Sequence, residues 1–199
     1  MNKRNRKPQG YSSRKVNTRE IRQRFLIICE GEKTEPNYFK SFRVPTVVIE
    51  VQGLGINPSK IVDQAIESQN PEEYDQVWCV FDRDSWTEVD FHNAIKKAKD
   101  AGVQIAYSNE SFELWYVLHF EFLNTGIPRS DYLKKLNQLL GYKYSKNSDS
   151  IYEELLERQS HALKNAENLL KQYKPCNPAR DNPSTTVHLL VQELNRFIR

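Results

Sequence analysis

In the stretch FLIICEGEKTEPNYF, residues 25–39, five apolar residues run directly into a cluster of acids. A fully apolar run of this length is typical of a strand that is buried on both faces of a sheet. The acids begin at Glu30, and Pro36 then stands in the first turn of a predicted helix that carries Tyr38 and Phe39 on its apolar face. The stretch therefore predicts a buried strand, an acidic turn and a helix.

The next part of the chain repeats this alternation of strand and helix. Further strands are predicted at 46–51, 76–81 and 103–107, and helices at 58–69, 89–100 and 110–123. Alternation with short connections is typical of a parallel sheet with helices on both faces. Only helical patterns follow, at about 131–140, 151–173 and 184–198. We therefore predict an α/β core of about four parallel strands over residues 24–128, with a helical C-terminal layer, residues 129–199, packed on it.

Composition limits the class of protein. The 199 residues, 38% of them hydrophobic, suit one domain with a smaller appendage. No run of about 18 apolar residues exists, so we expect no transmembrane helix and no membrane partner. The basic N-terminus lacks the apolar stretch of a secretory signal peptide. Cys29, Cys79 and Cys176 are widely spaced, which argues against a zinc site, and we expect a cytoplasmic protein in which the first two are buried.

The first 24 residues differ in charge from the rest. They hold nine Lys or Arg residues and one acid, whereas the remaining residues carry a net charge of −5. We expect residues 1–23 to form a disordered, basic arm. A solubilising tail would explain this charge, but the arm also suits electrostatic binding of nucleic acid, through residues such as Arg14, Lys15, Arg22 and Arg24.

Acidic residues follow two of the predicted strands. Glu30 comes directly after the first, and Asp82 and Asp84 come after the third. Any one of them alone would be taken for an exposed loop acid or a helix cap. The carboxyl ends of parallel strands lie on the same side of a sheet, and ligands bind beyond them. We therefore expect the three acids to converge there. Convergent carboxylates repel each other, and a divalent cation explains them best, with Mg²⁺ or Mn²⁺ favoured by oxygen ligands.

A late polar segment offers a second candidate binding element. Residues 182–186 are interpreted as the start of the last helix, where free N–H groups would hold a phosphate beside Ser184 and Thr185, with Arg180 nearby. An ordinary capped helix explains the segment equally well, and surface charge explains Arg180. We interpret His119 as a core histidine in preference to a general acid.

Four segments together resemble a known family. FLIICEGEKTE followed by VWCVFDRD resembles the Toprim domain, in which an apolar strand ends in Glu-Gly and a later strand ends in Asp-x-Asp. More narrowly, the chain resembles the RloB family over about residues 24–195. The segments that carry this likeness are CEGEKTEPNYF, VWCVFDRD, YSNESFELWYVLHFE and DNPSTTVHLLVQEL.

The resemblance implies roles for individual residues. In Toprim enzymes the acid at Glu30 is a general acid/base or a metal ligand, and Asp82 with Asp84 holds Mg²⁺. RloB proteins resemble Toprim nucleases of the overcoming-lysogenization-defect type. That likeness adds Glu35 as a further ligand, although the helix dipole also favours an acid there, and adds Lys33 and Glu113 as catalytic residues. Many Toprim proteins carry a third acid two residues after Asp-x-Asp, where this chain has Trp86, so the number of metal ions is left open.

The sequence thus predicts a Mg²⁺-dependent (or Mn²⁺-dependent) nuclease acting on RNA such as tRNA, or on DNA. The resemblance to nuclease halves of AbiL-type systems further implies a bacterial anti-phage effector with a separately encoded ATPase as partner. The alternative is a non-catalytic nucleic-acid-binding or regulatory partner of an ATPase, with a structural metal site. The oligomeric state is left open.

Overall fold

The computed structural model describes residues 23–44, 47–55, 58–84 and 86–198. Within these residues the chain forms one five-stranded sheet in the order β2-β1-β3-β4-β5. Its strands are β1 (Gln23–Cys29), β2 (Val47–Gly53), β3 (Gln76–Asp82), β4 (Gln104–Asn109) and β5 (Ser184–Thr185). The first four are parallel, and only β5 runs antiparallel to its neighbour. The predicted α/β class is confirmed, with one strand more than the four expected.

Eight helices are assigned within the described residues. They are α1 (Thr34–Lys40), α2 (Pro58–Glu67), α3 (Glu88–Asp100), α4 (Glu113–Val117), α5 (Arg129–Leu140), α6 (Ile151–Leu156), α7 (Gln159–Lys171) and α8 (Val187–Asn195). No helix among the described residues has the length and apolar character needed to cross a membrane.

Both faces of the sheet are covered, and β1 shows why its sequence is apolar throughout. Phe25, Ile27 and Cys29 pack into one cluster with α1, α4 and the C-terminal helices. Leu26 and Ile28 face the opposite way, into a second cluster with α2 and α3. Successive side chains of a strand point to opposite faces, so a strand between two helical layers must be apolar at every position. The C-terminal helices therefore pack on the same core as the N-terminal elements.

Three of the helices have bounds in the structure that differ from those predicted from the sequence. The helix expected at 110–123 is reduced to α4, because after Val117 the backbone tightens into bonds such as Phe120 N–H to Val117 C=O, 2.9 Å. The long helix expected at 151–173 is divided into α6 and α7 around Arg158, whose guanidinium lies over the Phe120 ring at 5.0 Å. The last helix begins at Val187.

The segment before that last helix is a strand, so its interpretation as a helix start was wrong. Ser184 pairs with Asn109, and Thr185 pairs with Ser108 at the end of β4. The Thr185 hydroxyl donates to the Tyr107 carbonyl at 3.0 Å and lies 3.0 Å from Ser108 Oγ. Buried hydroxyls need such partners, and here they tie the C-terminal part of the chain to the edge of the sheet.

Replacing this buried hydroxyl tests how firmly β5 is held. Thr185→Val keeps the shape of the side chain but leaves the Tyr107 carbonyl and Ser108 without this partner, which should lower the free energy of unfolding by about 1–3 kcal/mol. Urea denaturation measures this. The exposed Thr125 supplies a matched control, since Thr125→Val should change stability by less than about 0.5 kcal/mol. Equal stability of the two variants would contradict the assigned role of β5.

Candidate functional site

The candidate site lies at the carboxyl ends of β1, β3 and β4. The Glu30 amide donates to the Val80 carbonyl at 2.8 Å, which continues the pairing of β1 with β3 by one residue. The Glu30 carboxylate in turn accepts a hydrogen bond from the Asp82 amide at 3.1 Å. The parallel register therefore brings the acid after the first strand against the acid that ends the third, as the sequence predicted.

Two glycines allow the turn after β1 to fold closely over this edge. A Cβ at Gly31 would overlap the carboxylate of Glu35, and a Cβ at Gly53 would come within 2.7 Å of the Gly31 carbonyl oxygen. Only glycine permits so close an approach. The absence of a side chain at Gly31 therefore leaves room for the Glu35 carboxylate beside the end of β1.

A cavity of about 450 Å³ opens at this edge. Three buried acids line it, and they come from α1, β3 and α4: Glu35, Asp82 and Glu113. Three cationic residues line the same cavity: Lys33, Arg129 and Lys146. Acids and cations from five separate parts of the chain thus share one space.

Burial and mutual repulsion make the charged forms of these acids costly. Burial raises the pKa of Asp82 well above its usual range, and the charges of Glu35 and Glu113 raise it further. Burial likewise raises the pKa of Glu35, with Glu113 adding to the effect. The pKa of Glu30 rises from 4.5 to about 7, mainly through burial and despite the hydrogen bond from the Asp82 amide. Oδ1 of Asp82 is buried and has no hydrogen-bond partner.

Two cations compensate part of this charge. One nitrogen of the Arg129 guanidinium donates to Asp84 Oδ2, and the other lies 3.5 Å from Asp82 Oδ2. Lys146 Nζ lies 3.2 Å from Glu113 Oε1, and the Ser111 hydroxyl donates to the other oxygen of Glu113. The Arg129 guanidinium thus contacts both acids of the Asp-x-Asp motif.

The donor set fits Mg²⁺ in chemistry, because it consists of carboxylate oxygens and includes one buried oxygen without a partner. The positions of these side chains, in contrast to their chemistry, do not match a metal site. Among the described residues, no group of three or more His, Cys, Asp or Glu side chains is arranged to hold a metal ion. The Arg129 guanidinium contacts both aspartates of the motif.

The remaining predicted site residues are distributed differently. Lys33 is exposed and lines the cavity at the start of α1. Arg24 lies near the amino-terminal end of β1, at the opposite end of the strand from the cavity. Its guanidinium is 5.9 Å from the centre of the Tyr74 ring. The structure therefore does not bring Arg24 to the cavity. Arg14, Lys15 and Arg22 lie outside the described residues.

The late segment does not present the groups expected of it. Ser184 and Thr185 are fully buried, and the Ser184 hydroxyl donates to the Asp181 carbonyl at 2.6 Å. They lie in β5 and not at a helix N-terminus, so the predicted phosphate site at a helix start was wrong. Arg180 is exposed, and its Nε lies 2.9 Å from Glu88 Oε2.

Two other residues singled out in the sequence belong to the core. Trp86 is buried and stacks on Phe81 with ring centroids 5.3 Å apart. A carboxylate at this position would lie inside that cluster. His119 is 1% exposed, its Nδ1 lies 2.8 Å from the Trp115 carbonyl oxygen, and burial lowers its pKa to about 4. Cys29 and Cys79 are buried as predicted, and Cys176 is exposed.

Sequence reasoning missed both cations that pair with the acids. Arg129 gave one signal: a positive charge at the first position of α5 is unfavourable to the helix dipole and calls for another explanation. Lys146 gave none, because it is one lysine in a polar connection between α5 and α6. Both contacts join residues more than 30 positions apart, so only the folded chain reveals them.

Fold and site together define an α/β protein with a mixed acidic and basic cavity at the carboxyl edge of a mostly parallel sheet. A family model described as RloB-like protein matches residues 25–194. The chain belongs to the RloB-like family. Neither the curated proteins nor the solved structures gave a match to the chain.

The raised pKa values predict how stability depends on pH in the absence of divalent ions. A carboxyl whose pKa is higher in the folded protein binds more protons there than in the unfolded chain, so stability falls as pH rises between the two values. For Glu30 that interval runs from 4.5 to about 7. We expect the free energy of unfolding in EDTA to decrease over this range, by roughly 1–3 kcal/mol.

Glu30→Gln removes this titrating group and should make the fall in stability over the same interval shallower, while the raised pKa values of Asp82 and Glu35 still contribute. The exposed Glu72 gives a control, because Glu72→Gln should leave the slope of the wild-type profile unchanged. Urea denaturation at a series of pH values measures all three proteins. A wild-type stability that rises from pH 4.5 to 7 would contradict the assigned environment of Glu30.

Proposed function

We propose that this protein is a Toprim-type nuclease that depends on Mg²⁺ or Mn²⁺ and cleaves phosphodiester bonds of nucleic acid. The observation that carries the proposal is the cavity at the end of β1 and β3. Asp82 of the Asp-x-Asp motif lines this cavity, and its amide donates to the Glu30 carboxylate of the Glu-Gly motif. One oxygen of Asp82 is buried without a hydrogen-bond partner, and cationic side chains line the same space. The resemblance of these two motifs to Toprim enzymes supports it.

The proposal assigns separate tasks to acids and cations. Asp82 and Asp84, with Glu30 and Glu35, would hold the divalent ion. When bound, that ion would neutralise the scissile phosphate and lower the pKa of the attacking water. Glu30, with a pKa raised to about 7 by burial, is suited to accept or return a proton near neutral pH.

The cations of the cavity suit the substrate. Lys33, Arg129 and Lys146 all line it, and guanidinium and ammonium groups bind phosphate oxygens through charge-assisted hydrogen bonds. Glu113 is oriented by the Ser111 hydroxyl and paired with Lys146, so it can position that lysine or exchange a proton at the cavity. RNA such as tRNA and DNA are both substrates to be tested.

The biological setting follows from the family resemblance. We propose a cytoplasmic effector of a bacterial anti-phage system that acts with a separately encoded ATPase. The alternative is a non-catalytic regulatory partner of such an ATPase, in which the acids serve a structural metal site. The ion pairs of Arg129 and Lys146 support that alternative to the extent that they hold the acids without a metal.

Asp82→Asn tests the proposed chemistry while keeping the shape of the buried side chain. The variant should lose Mg²⁺-dependent cleavage by at least about 100-fold, because it removes a ligand charge from the ion. The assay uses labelled tRNA, single-stranded DNA and plasmid, with Mg²⁺, Mn²⁺ or EDTA. Asp100→Asn is the matched control, since Asp100 is exposed and pairs with Lys96 at the end of α3, and it should cleave as the wild type does.

Each outcome of this assay has a clear meaning. Cleavage by Asp82→Asn at the wild-type rate would contradict the mechanism. Absence of cleavage by the wild type, alone and with any ATPase encoded beside its gene, together with intact Mn²⁺ binding would favour the non-catalytic alternative.

A further inference from the structure

Arg129 occupies a position that the proposed chemistry would give to a metal ion. It is the first residue of α5, and its guanidinium reaches both acids of the Asp-x-Asp motif. The Asp82 side chain is 5% exposed, whereas that of Arg129 is 41% exposed. Arg129 thus reaches the buried Asp82 from a partly exposed position.

The surroundings of Asp82 explain why a cation is needed there. Glu30, Glu35 and Glu113 all act on Asp82 as negative charges. Several carboxylates at one site are stable only with compensating positive charge. Within the part of the chain that the structure describes, the positive charge that reaches both Asp82 and Asp84 is the Arg129 guanidinium.

A guanidinium is well matched to this task. Its planar fork presents separate N–H groups, so one nitrogen faces Asp84 while the other faces Asp82. An ammonium group is a single point and does not bridge two carboxylates in the same way. The contact depends on the shape of the group as well as on its charge.

We propose that Arg129 is a resident counter-ion that holds the place of the divalent cation on Asp82 and Asp84, and that it sets the metal affinity of the site because it must leave before the ion binds. The inference rests on the proposed function, in that the same carboxylates bind the ion. Its observed basis is that the Arg129 guanidinium contacts both acids of the motif, donating to Asp84 Oδ2 and lying 3.5 Å from Asp82 Oδ2.

Exchange has a consequence for the substrate. The displaced guanidinium remains at the cavity that would receive the phosphate. A phosphate that pairs with Arg129 away from the aspartates would favour the metal-bound arrangement, and by thermodynamic reciprocity the metal would favour phosphate binding. Arg129 is therefore a positioning residue that couples the two ligands.

Isothermal titration calorimetry with Mn²⁺ alone tests the inference without relying on activity. Arg129→Gln should bind Mn²⁺ about tenfold more tightly than the wild type, a gain of about 1.4 kcal/mol. Lys134→Gln is the matched control, because Lys134 is exposed on the same helix and pairs with Asp131 away from the cavity. It removes the same charge and should bind Mn²⁺ as the wild type does.

Arg129→Lys separates displacement from a simple effect of charge. The variant keeps the positive charge, so charge alone predicts wild-type affinity for Mn²⁺. Loss of the two-pronged contact instead predicts an affinity between those of the wild type and Arg129→Gln. This variant also carries the test if Arg129→Gln does not fold without metal.

The outcomes distinguish this inference from the proposed function. If Asp82→Asn loses Mn²⁺ binding while neither Arg129→Gln nor Arg129→Lys binds more tightly than the wild type, the counter-ion role is overturned and the metal site stands. If Arg129→Gln binds no more tightly than Lys134→Gln, the counter-ion role is likewise overturned. If the wild type, Arg129→Gln and Arg129→Lys all bind no Mn²⁺, the metal site is overturned, and the proposed function with it.

Discussion

The arrangement of the site depends on the repulsion among carboxylates that the sheet brings together at the carboxyl ends of its strands. The parallel register places Glu30 against Asp82, and Glu35 and Glu113 lie close enough to raise the pKa of Asp82 further. Burial removes the water that would otherwise solvate these charges. Positive charge must then come from the protein, as it does through Arg129 and Lys146, or from a bound ion.

The elements around the carboxyl ends of these strands support that arrangement. The apolar β1 and β3 hold the two acidic motifs at fixed positions between two helical layers. Gly31 and Gly53 let the turn after β1 lie close enough for Glu35 to enter the cavity. The C-terminal helices add the cation of α5, and β5 ties them to the sheet. Well-packed apolar residues in place of a buried ion pair are commonly neutral or stabilising, so a stable fold alone does not require these charges.

Much of the fold was predictable because its signals are local. The apolar run at 25–29 and the later alternation of strand and helix indicated a parallel sheet, and the residues after β1 and β3 indicated where acids would meet. β5 was not predictable, because a two-residue strand has no periodicity of its own and forms only through its bonds to β4. The division of the helix at 151–173 was missed for a similar reason, since Arg158 packs on a ring distant in sequence.

The candidate site was predictable in its acids and not in its cations. Glu30 and Asp82 follow strands whose register could be foreseen, whereas Arg129 lies 45 residues after Asp84 in a separate helix. Arg24 lies near the start of β1, at the opposite end of the strand from the cavity, so its predicted binding of nucleic acid stays a prediction separate from this site. A charged residue in a sequence indicates a role in a site only when the fold brings that residue to the site.

Anomalous scattering from crystals soaked in Mn²⁺ locates the ion and identifies its ligands, and it therefore shows whether Asp82 and Asp84 form a metal site. We expect a peak beside Asp82 and Asp84, with the Arg129 guanidinium moved away from both carboxylates. No peak at these carboxylates at saturating Mn²⁺, with Arg129 still bridging them, would contradict it.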